Sequence, residues 1–130
     1  MTPTARTLAA LRRSGYLADV CERWILRANV RKDLFGILDI VAIRRGEAGV
    51  LGIQTTTAPN MSARRRKAQE CAALRTWLTA GNRFELWAWV QCDGQWRVRR
   101  EALTLPSLAT VPVELIPRRR RKPSERGLFG

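Results

Sequence analysis

Two short apolar runs of this chain each contain a polar residue that a buried strand rarely tolerates. Asp39 lies within residues 37–42, and Gln54 lies within residues 52–56. A carboxylate or an amide among apolar neighbours costs free energy unless it is hydrogen-bonded, paired or bound to a metal. Side-chain oxygens of this kind are the ligands that Mg²⁺ prefers, so the two runs together suggest a metal site.

The segment between the runs is rich in turn residues, which predicts that the runs form a β-hairpin. If Ile43 and Val50 close it, antiparallel partners carry numbers that sum to 93. Asp39 then faces Gln54 with Cβ atoms about 4.5–5.5 Å apart, and Thr56 shares that face. A structural interpretation is also open: Asp39 could accept backbone hydrogen bonds at a strand end, and Gln54 could be a satisfied core amide.

The composition limits the chemistry that the chain can perform. It has 130 residues, with 24 Lys and Arg against 11 acidic residues and a formal net charge of +13. Such an excess indicates a polyanionic partner, DNA or another nucleic acid, rather than solubility alone. The chain has no histidine, which excludes Ser-His-Asp and Cys-His nucleophiles and a His-ligated zinc site.

Cysteine usage and hydropathy bear on location. Cys21, Cys71 and Cys92 are scattered and odd in number, a pattern typical of free thiols in a reducing compartment. No apolar run approaches the roughly 18 residues of a membrane span, and the N-terminal region lacks a signal-peptide pattern. We therefore expect a cytoplasmic protein without a membrane partner.

The elements that position the polar residues follow from periodicity and caps. A helix capped by Thr4 is predicted to end near residue 14, and the ambiguous stretch 16–24 fits a strand better than a helix. A second long helix is predicted over residues 62–80. The remaining strands are predicted over residues 38–43, 50–55, 83–92 and 95–101. The fold class is therefore α/β, a mixed central sheet flanked by helices. Residues 1–105 form one domain, and residues 106–130 form a Pro/Arg-rich basic tail that is expected to be flexible.

The order helix, strand, strand, strand, helix, strand, with Asp39 on the second strand and Gln54 on the third, resembles the core of the PD-(D/E)XK nuclease superfamily, a restriction-endonuclease-like fold. The resemblance covers roughly residues 4–90 and is closest to small phage-type and Holliday-junction-resolvase-like members. It implies that Asp39 is the motif aspartate, that Gln54 takes the Asp/Glu position, and that Thr56 stands where the family has lysine. It also implies Mg²⁺, for which Mn²⁺ can substitute, held by Asp39, Gln54 and Thr55. Such members are commonly homodimers, and a phage-encoded one would work in the host cytoplasm.

Two positions depart from the family motif. Gln54 is neutral and should hold Mg²⁺ more weakly than a carboxylate, and Thr56 cannot supply the charge of lysine. The predicted helix 62–80 offers a replacement, since Arg64 and Lys67 lie on its inward face near its N-terminus. Cations there oppose the helix dipole, which makes sense if the site holds an anion. Lys67 as a solvated helix residue is the alternative.

Further candidates complete the predicted site. Asp33 and Glu22 are candidate metal ligands, although Asp33 could be a turn residue or pair with a neighbouring cation, and Glu22 could be a surface charge. The candidate phosphate contacts are Asn60, Arg64, Lys67, Arg44, Arg45 and, in the tail, Arg118, Arg119, Arg120, Arg121 and Lys122.

These features predict a metal-dependent endonuclease acting on branched or structured DNA, with Asp39, Gln54 and Lys67 as its catalytic residues. A nuclease-fold DNA-binding module with little or no catalysis is the leading alternative, and Gln54 and Thr56 favour it. A protein-binding module whose charge serves only solubility is the third. Salt-sensitive DNA binding separates the first two from the third, and Mg²⁺-dependent cleavage separates the first from the second.

Overall fold

The computed structural model describes residues 1–21 and 23–113, except for the side chains of Arg23 and Arg31. In chain order the elements are α1 (Pro3–Arg13), β1 (Leu17–Val20), β2 (Arg23–Ile25), β3 (Val30–Lys32), β4 (Ile40–Ile43), β5 (Leu51–Thr57), a 3₁₀ turn (Ala58–Asn60), α2 (Met61–Gln69), α3 (Ala72–Thr79), β6 (Arg83–Cys92), β7 (Gln95–Thr104) and β8 (Ala109–Pro112).

Six strands form one mixed sheet in the order β1-β4-β5-β6-β7-β8. β5 and β6 are parallel, and the other neighbours are antiparallel. Parallel neighbours need a crossover connection, which α2 and α3 supply. α1 packs on one face of the sheet through Leu11, and α2 and α3 cover the other through Ala68 and Leu74. The predicted α/β class, a mixed sheet flanked by helices, is confirmed.

The central strand β5 is covered on both faces, as predicted, and its packing is tightest at Gly52. A Cβ atom at this position would lie 2.5 Å from Leu38 Cδ2 and 3.1 Å from Trp77 Cζ2. Distances this short leave no room for a side chain, so only glycine lets the segment before β4 and the α3 helix pack on this strand. Gln54, two residues further along, is also buried.

Both predicted helices differ from the structure at a boundary. Thr2, not Thr4, caps α1, because its side chain accepts the Ala5 N–H at 3.1 Å. The predicted single helix over residues 62–80 is two helices, because Cys71 adopts an extended backbone with ψ of 109°. The break lets α2 and α3 each bury their own apolar residue against the sheet.

The predicted strand over residues 16–24 is also two elements. β1 ends at Val20 and pairs with β4, whereas β2 pairs with β3 in a separate two-stranded sheet. Near the other end of the chain, β8 pairs with β7. The sheet therefore continues into the segment that the sequence assigns to the basic tail, and residues 114–130 lie outside the described part of the chain.

Candidate active site

Polar side chains from four parts of the chain line a cleft of about 560 Å³ at the end of β5. The end of β5 supplies a run of threonines, and the segment between β3 and β4 supplies two carboxylates. The first residues of α1 and the first turns of α2 line the other sides. The lining residues are Pro3, Thr4, Lys32, Asp33, Gly36, Asp39, Thr55, Thr56, Thr57, Asn60, Arg64 and Lys67.

The two carboxylates reach the cleft through a tight loop. Leu34 and Leu38 form an antiparallel bridge, with mutual backbone hydrogen bonds of 3.0 and 2.9 Å. Between them, the backbone of Phe35 has a positive φ of 54°, a conformation that costs free energy for a bulky side chain. Asp33 and Asp39 immediately flank the bridge, so the loop holds both acids at its open end.

Asp39 is buried, and its carboxylate bonds to Thr55 rather than pairing with Gln54. Oδ2 accepts the Thr55 backbone N–H at 2.8 Å and lies 3.4 Å from Thr55 Oγ1. The predicted register holds from Ile40 and Ile53 onward, but the Asp39 N–H also donates to the Ile53 carbonyl at 2.9 Å. Asp39 and Ile40 therefore both face Ile53, as in a β-bulge. The prediction that Asp39 lies opposite Gln54 is wrong.

Gln54 is buried beside Asp33 and is not among the described residues that line the cleft. Its Nε2 donates to Asp33 Oδ2 at 3.5 Å, and the same oxygen lies 3.9 Å from Lys67 Nζ. Its Oε1 is buried without a hydrogen-bond partner within residues 1–21 and 23–113. An unsatisfied buried acceptor costs about 1–3 kcal/mol, so a ligand that reached Oε1 would stabilise this region.

Cations line the same cleft as the two acids. Arg64 and Lys67 are there, as expected for the inward face of the helix, and Lys32 joins them from the end of β3. Asn60 also lines the cleft, and its Nδ2 donates to Thr57 Oγ1 at 3.1 Å. A cleft with both carboxylates and cations can bind a metal ion and an anion side by side.

Two of the other predicted phosphate contacts, Arg44 and Arg45, do not line this cleft. Arg44 and Arg45 lie in the turn at the opposite end of the β4–β5 hairpin, where the Arg44 guanidinium pairs with Glu47. In the basic run of α2, Arg65 turns away and donates to Glu101 of β7 at 2.7 Å through two nitrogens. Glu22 and the tail cations Arg118 to Lys122 lie outside the described residues.

Sequence reasoning missed three of the lining residues that have polar side chains, namely Lys32, Thr4 and Thr57. The adjacency of Lys32 to Asp33 was an available signal, and Thr57 continues the threonine run of β5. Thr4 carried no such signal, because its side chain was assigned to the helix cap. Its Oγ1 instead lies 3.0 Å from Thr55 Oγ1, so the first turn of α1 touches the end of β5.

The cleft offers a small set of oxygen ligands for Mg²⁺. Residues 1–21 and 23–113 contain no group of three or more His, Cys, Asp or Glu side chains placed to hold a metal ion. Mg²⁺, however, is usually bound through one or two carboxylates together with water and substrate phosphates. Asp33 and Asp39 in one cleft, with the unsatisfied Oε1 of Gln54 beside Asp33, fit that smaller set.

Comparison of the chain with models of protein families, with curated proteins and with solved structures finds no match. None of the helices in the described part of the chain has the length and hydrophobicity needed to span a bilayer.

Proposed function

We propose that this protein is a metal-dependent endonuclease that hydrolyses phosphodiester bonds in branched or otherwise structured DNA. The observation that carries the proposal is a single cleft lined by two carboxylates and three cations, Lys32, Arg64 and Lys67. The carboxylates suit a divalent cation, and the Lys and Arg side chains suit the phosphate that such a cation would share. The net charge of +13 supports a polyanionic substrate.

Asp39 and Asp33 would hold Mg²⁺ or Mn²⁺, with Gln54 contributing Oε1 and Thr55 its carbonyl oxygen. When bound, such an ion lowers the pKa of a water molecule and neutralises charge on the scissile phosphate. The 2.8 Å hydrogen bond from the Thr55 N–H orients the Asp39 carboxylate in advance, which lowers the cost of reorganisation during the reaction.

Lys67 would act on the phosphate. Its ammonium lies 3.9 Å from Asp33, too far for a strong hydrogen bond, and its side chain is 47 % exposed. It can therefore turn to a phosphate oxygen or to the attacking water and stabilise developing negative charge. Arg64, Lys32 and Asn60 would contact the flanking phosphates. Two copies of the chain, one on each strand, would suit two-strand cutting.

The test is incubation of the purified protein with a four-way DNA junction, a linear duplex and a single strand, in Mg²⁺, Mn²⁺ or EDTA. We expect cleavage with either metal, and we expect EDTA or the Asp39→Asn substitution to abolish it. Cleavage that persists in EDTA, or that Asp39→Asn retains at the parent rate, would contradict the assignment.

A second candidate is a DNA-binding module of the same fold with little or no catalysis. It is favoured by the neutral Gln54 and by Thr56, which is buried and supplies no charge at the position where the resemblance calls for lysine. Salt-sensitive DNA binding without cleavage in any metal would identify this module. Absence of DNA binding at low salt would refute both candidates.

A further inference from the structure

The β2–β3 hairpin exposes large apolar side chains. It forms a two-stranded sheet separate from the six-stranded sheet. Trp24 is 50 % exposed, Leu26 in the turn is 84 % exposed, and Val30 is 47 % exposed. Several such groups on one small element indicate a binding surface rather than a part of the core.

The hairpin is also strongly basic and continuous with the candidate active site. Residues 23–32 contain no acidic residue and four cations, namely Arg23, Arg27, Arg31 and Lys32. β3 ends at Lys32, which lines the cleft, and Asp33 follows it directly. A polymer seated in the cleft would therefore pass next to the hairpin.

We propose that this hairpin binds an unpaired segment of nucleic acid beside the cleft, with Trp24 stacking on an exposed base and Leu26 packing against the end of the adjoining duplex. The side chains select this occupant, because cations bind phosphates, an exposed indole stacks on a base, and an apolar tip can separate stacked bases. A fully paired duplex hides its base faces from the indole. The inference rests on the proposed function and names unpaired bases as the feature that is recognised.

Binding measured in EDTA tests this inference independently of catalysis. Fluorescence anisotropy would compare a forked duplex that has unpaired arms with a fully paired duplex of equal length. The variants are Trp24→Ala, Leu26→Ala and Trp24→Phe, and the matched control is Leu17→Ala, because Leu17 is a 74 % exposed leucine on β1.

We expect Trp24→Ala to weaken binding to the forked DNA at least about fivefold, since stacking of one base is lost, and to change binding to the paired duplex less than about twofold. Leu26→Ala should act in the same direction with a smaller effect, and Leu17→Ala should change neither affinity. Trp24→Phe keeps an aromatic face and should retain most of the preference for forked over fully paired DNA. This result would separate a loss of stacking from misfolding.

Equal losses on both DNAs, or no loss on either, would overturn the inference and leave the proposed function intact. A parent protein that binds neither DNA would refute the proposed function and the inference together. Sedimentation could instead show that Trp24→Ala converts a dimer to a monomer while the ratio of the affinities for forked and paired DNA stays unchanged. The hairpin would then be a contact between copies of the chain, and the inference would be overturned.

Discussion

The carboxylates at the two ends of the β4–β5 hairpin differ in how closely hydrogen-bond donors and cations hold them. At the turn end, Glu47 accepts a 2.7 Å hydrogen bond from the Tyr16 hydroxyl, pairs with Arg44 and lies 3.2 Å from Arg83. The Tyr16 hydrogen bond, followed by the arginines, lowers the pKa of Glu47. Burial, together with the bond to Glu47, raises the pKa of Tyr16. This carboxylate is held by close donors on three sides.

At the open end, Asp33 is held at longer range than Glu47. Asp33 lies 3.9 Å from Lys67 and 3.5 Å from the Gln54 amide, and Asp39 accepts the Thr55 N–H. Both acids line the cleft, whereas Glu47 does not. The close donors of Glu47 stabilise the fold, whereas the longer contacts of Asp33 leave its carboxylate available to a ligand in the cleft. Substitutions at the open end should change cleavage or metal affinity, whereas those at the turn end should change stability alone.

The largest effect is expected for Asp39→Asn. The amide oxygen can still accept the Thr55 N–H, but the negative charge that a metal needs is lost. Single-turnover cleavage should slow at least about 100-fold, while DNA affinity stays equal or rises because negative charge near phosphate is removed. Glu47→Gln, the same change at the other end, should cleave at the parent rate. Equal losses of cleavage rate in Asp39→Asn and Glu47→Gln would contradict different roles for the two ends of the hairpin.

Lys67→Ala should have the next largest effect. Cleavage should fall roughly tenfold, because a half-exposed cation near the phosphate is lost, while DNA affinity falls less, since one phosphate contact among many is removed. The control is Arg66→Ala, which removes the same charge from an exposed neighbour on α2. If the two variants lose activity equally, net charge rather than position explains the effect.

Gln54→Glu should lower thermal stability in the absence of metal and raise the affinity for Mg²⁺. In EDTA the new carboxylate lies beside Asp33, so like-charge repulsion should lower the melting temperature by several degrees, which corresponds to about 1 kcal/mol. Mg²⁺ should restore the loss, and half-maximal cleavage should need several-fold less Mg²⁺, because ligand charge raises cation affinity. Differential scanning fluorimetry and metal titration measure both. Gln95→Glu, on an exposed strand end, should show neither change. An unchanged Mg²⁺ requirement would remove Gln54 from the site.

The smallest effect is expected at the turn end and concerns pH. Because the pKa of Glu47 is lowered in the folded state, its contribution to stability is fully present above the ordinary Glu pKa of about 4.3 and is lost as the pH falls through the lowered value. Glu47→Gln should therefore melt a few degrees below the parent at pH 7. The difference should shrink below about pH 4 in thermal unfolding curves. A difference that is constant from pH 7 to pH 3 would contradict the ion-pair explanation.

Sequence patterns predicted the sheet better than the loops. β6 spans Arg83–Cys92 as predicted, because an apolar aromatic run is followed by an Asp-Gly turn. The β4–β5 register was also predictable, since a turn flanked by apolar runs leaves few pairings. The helix break at Cys71 was not, because it follows from how two helices pack on one sheet and not from local propensity.

The site was predictable in some of its residues but not in its geometry. Asp39 lines the cleft and was visible as a charge in an apolar run, and Lys67 lines it and was visible from its helical spacing, but Gln54 does not line it. The bulge at Asp39 depends on the tight loop before β4, and that loop needs a positive φ at Phe35, which propensity for a bulky residue argues against. Backbone strain of this kind is set by tertiary packing and leaves no trace in hydrophobic periodicity.

Gly52 has a consequence for sequence variation among related chains. Because a Cβ atom there would overlap Leu38 and crowd Trp77, a larger residue at position 52 is compatible with this fold only if Leu38 becomes smaller and Trp77 yields by a few tenths of an ångström. Positions 52, 38 and 77 should therefore covary. A substitution at position 52 alone would push Leu38 outward and displace the adjoining Asp39. A glycine two residues before Gln54, together with a large apolar residue directly before Asp39, is thus a more specific signature of relatives than the two polar residues by themselves.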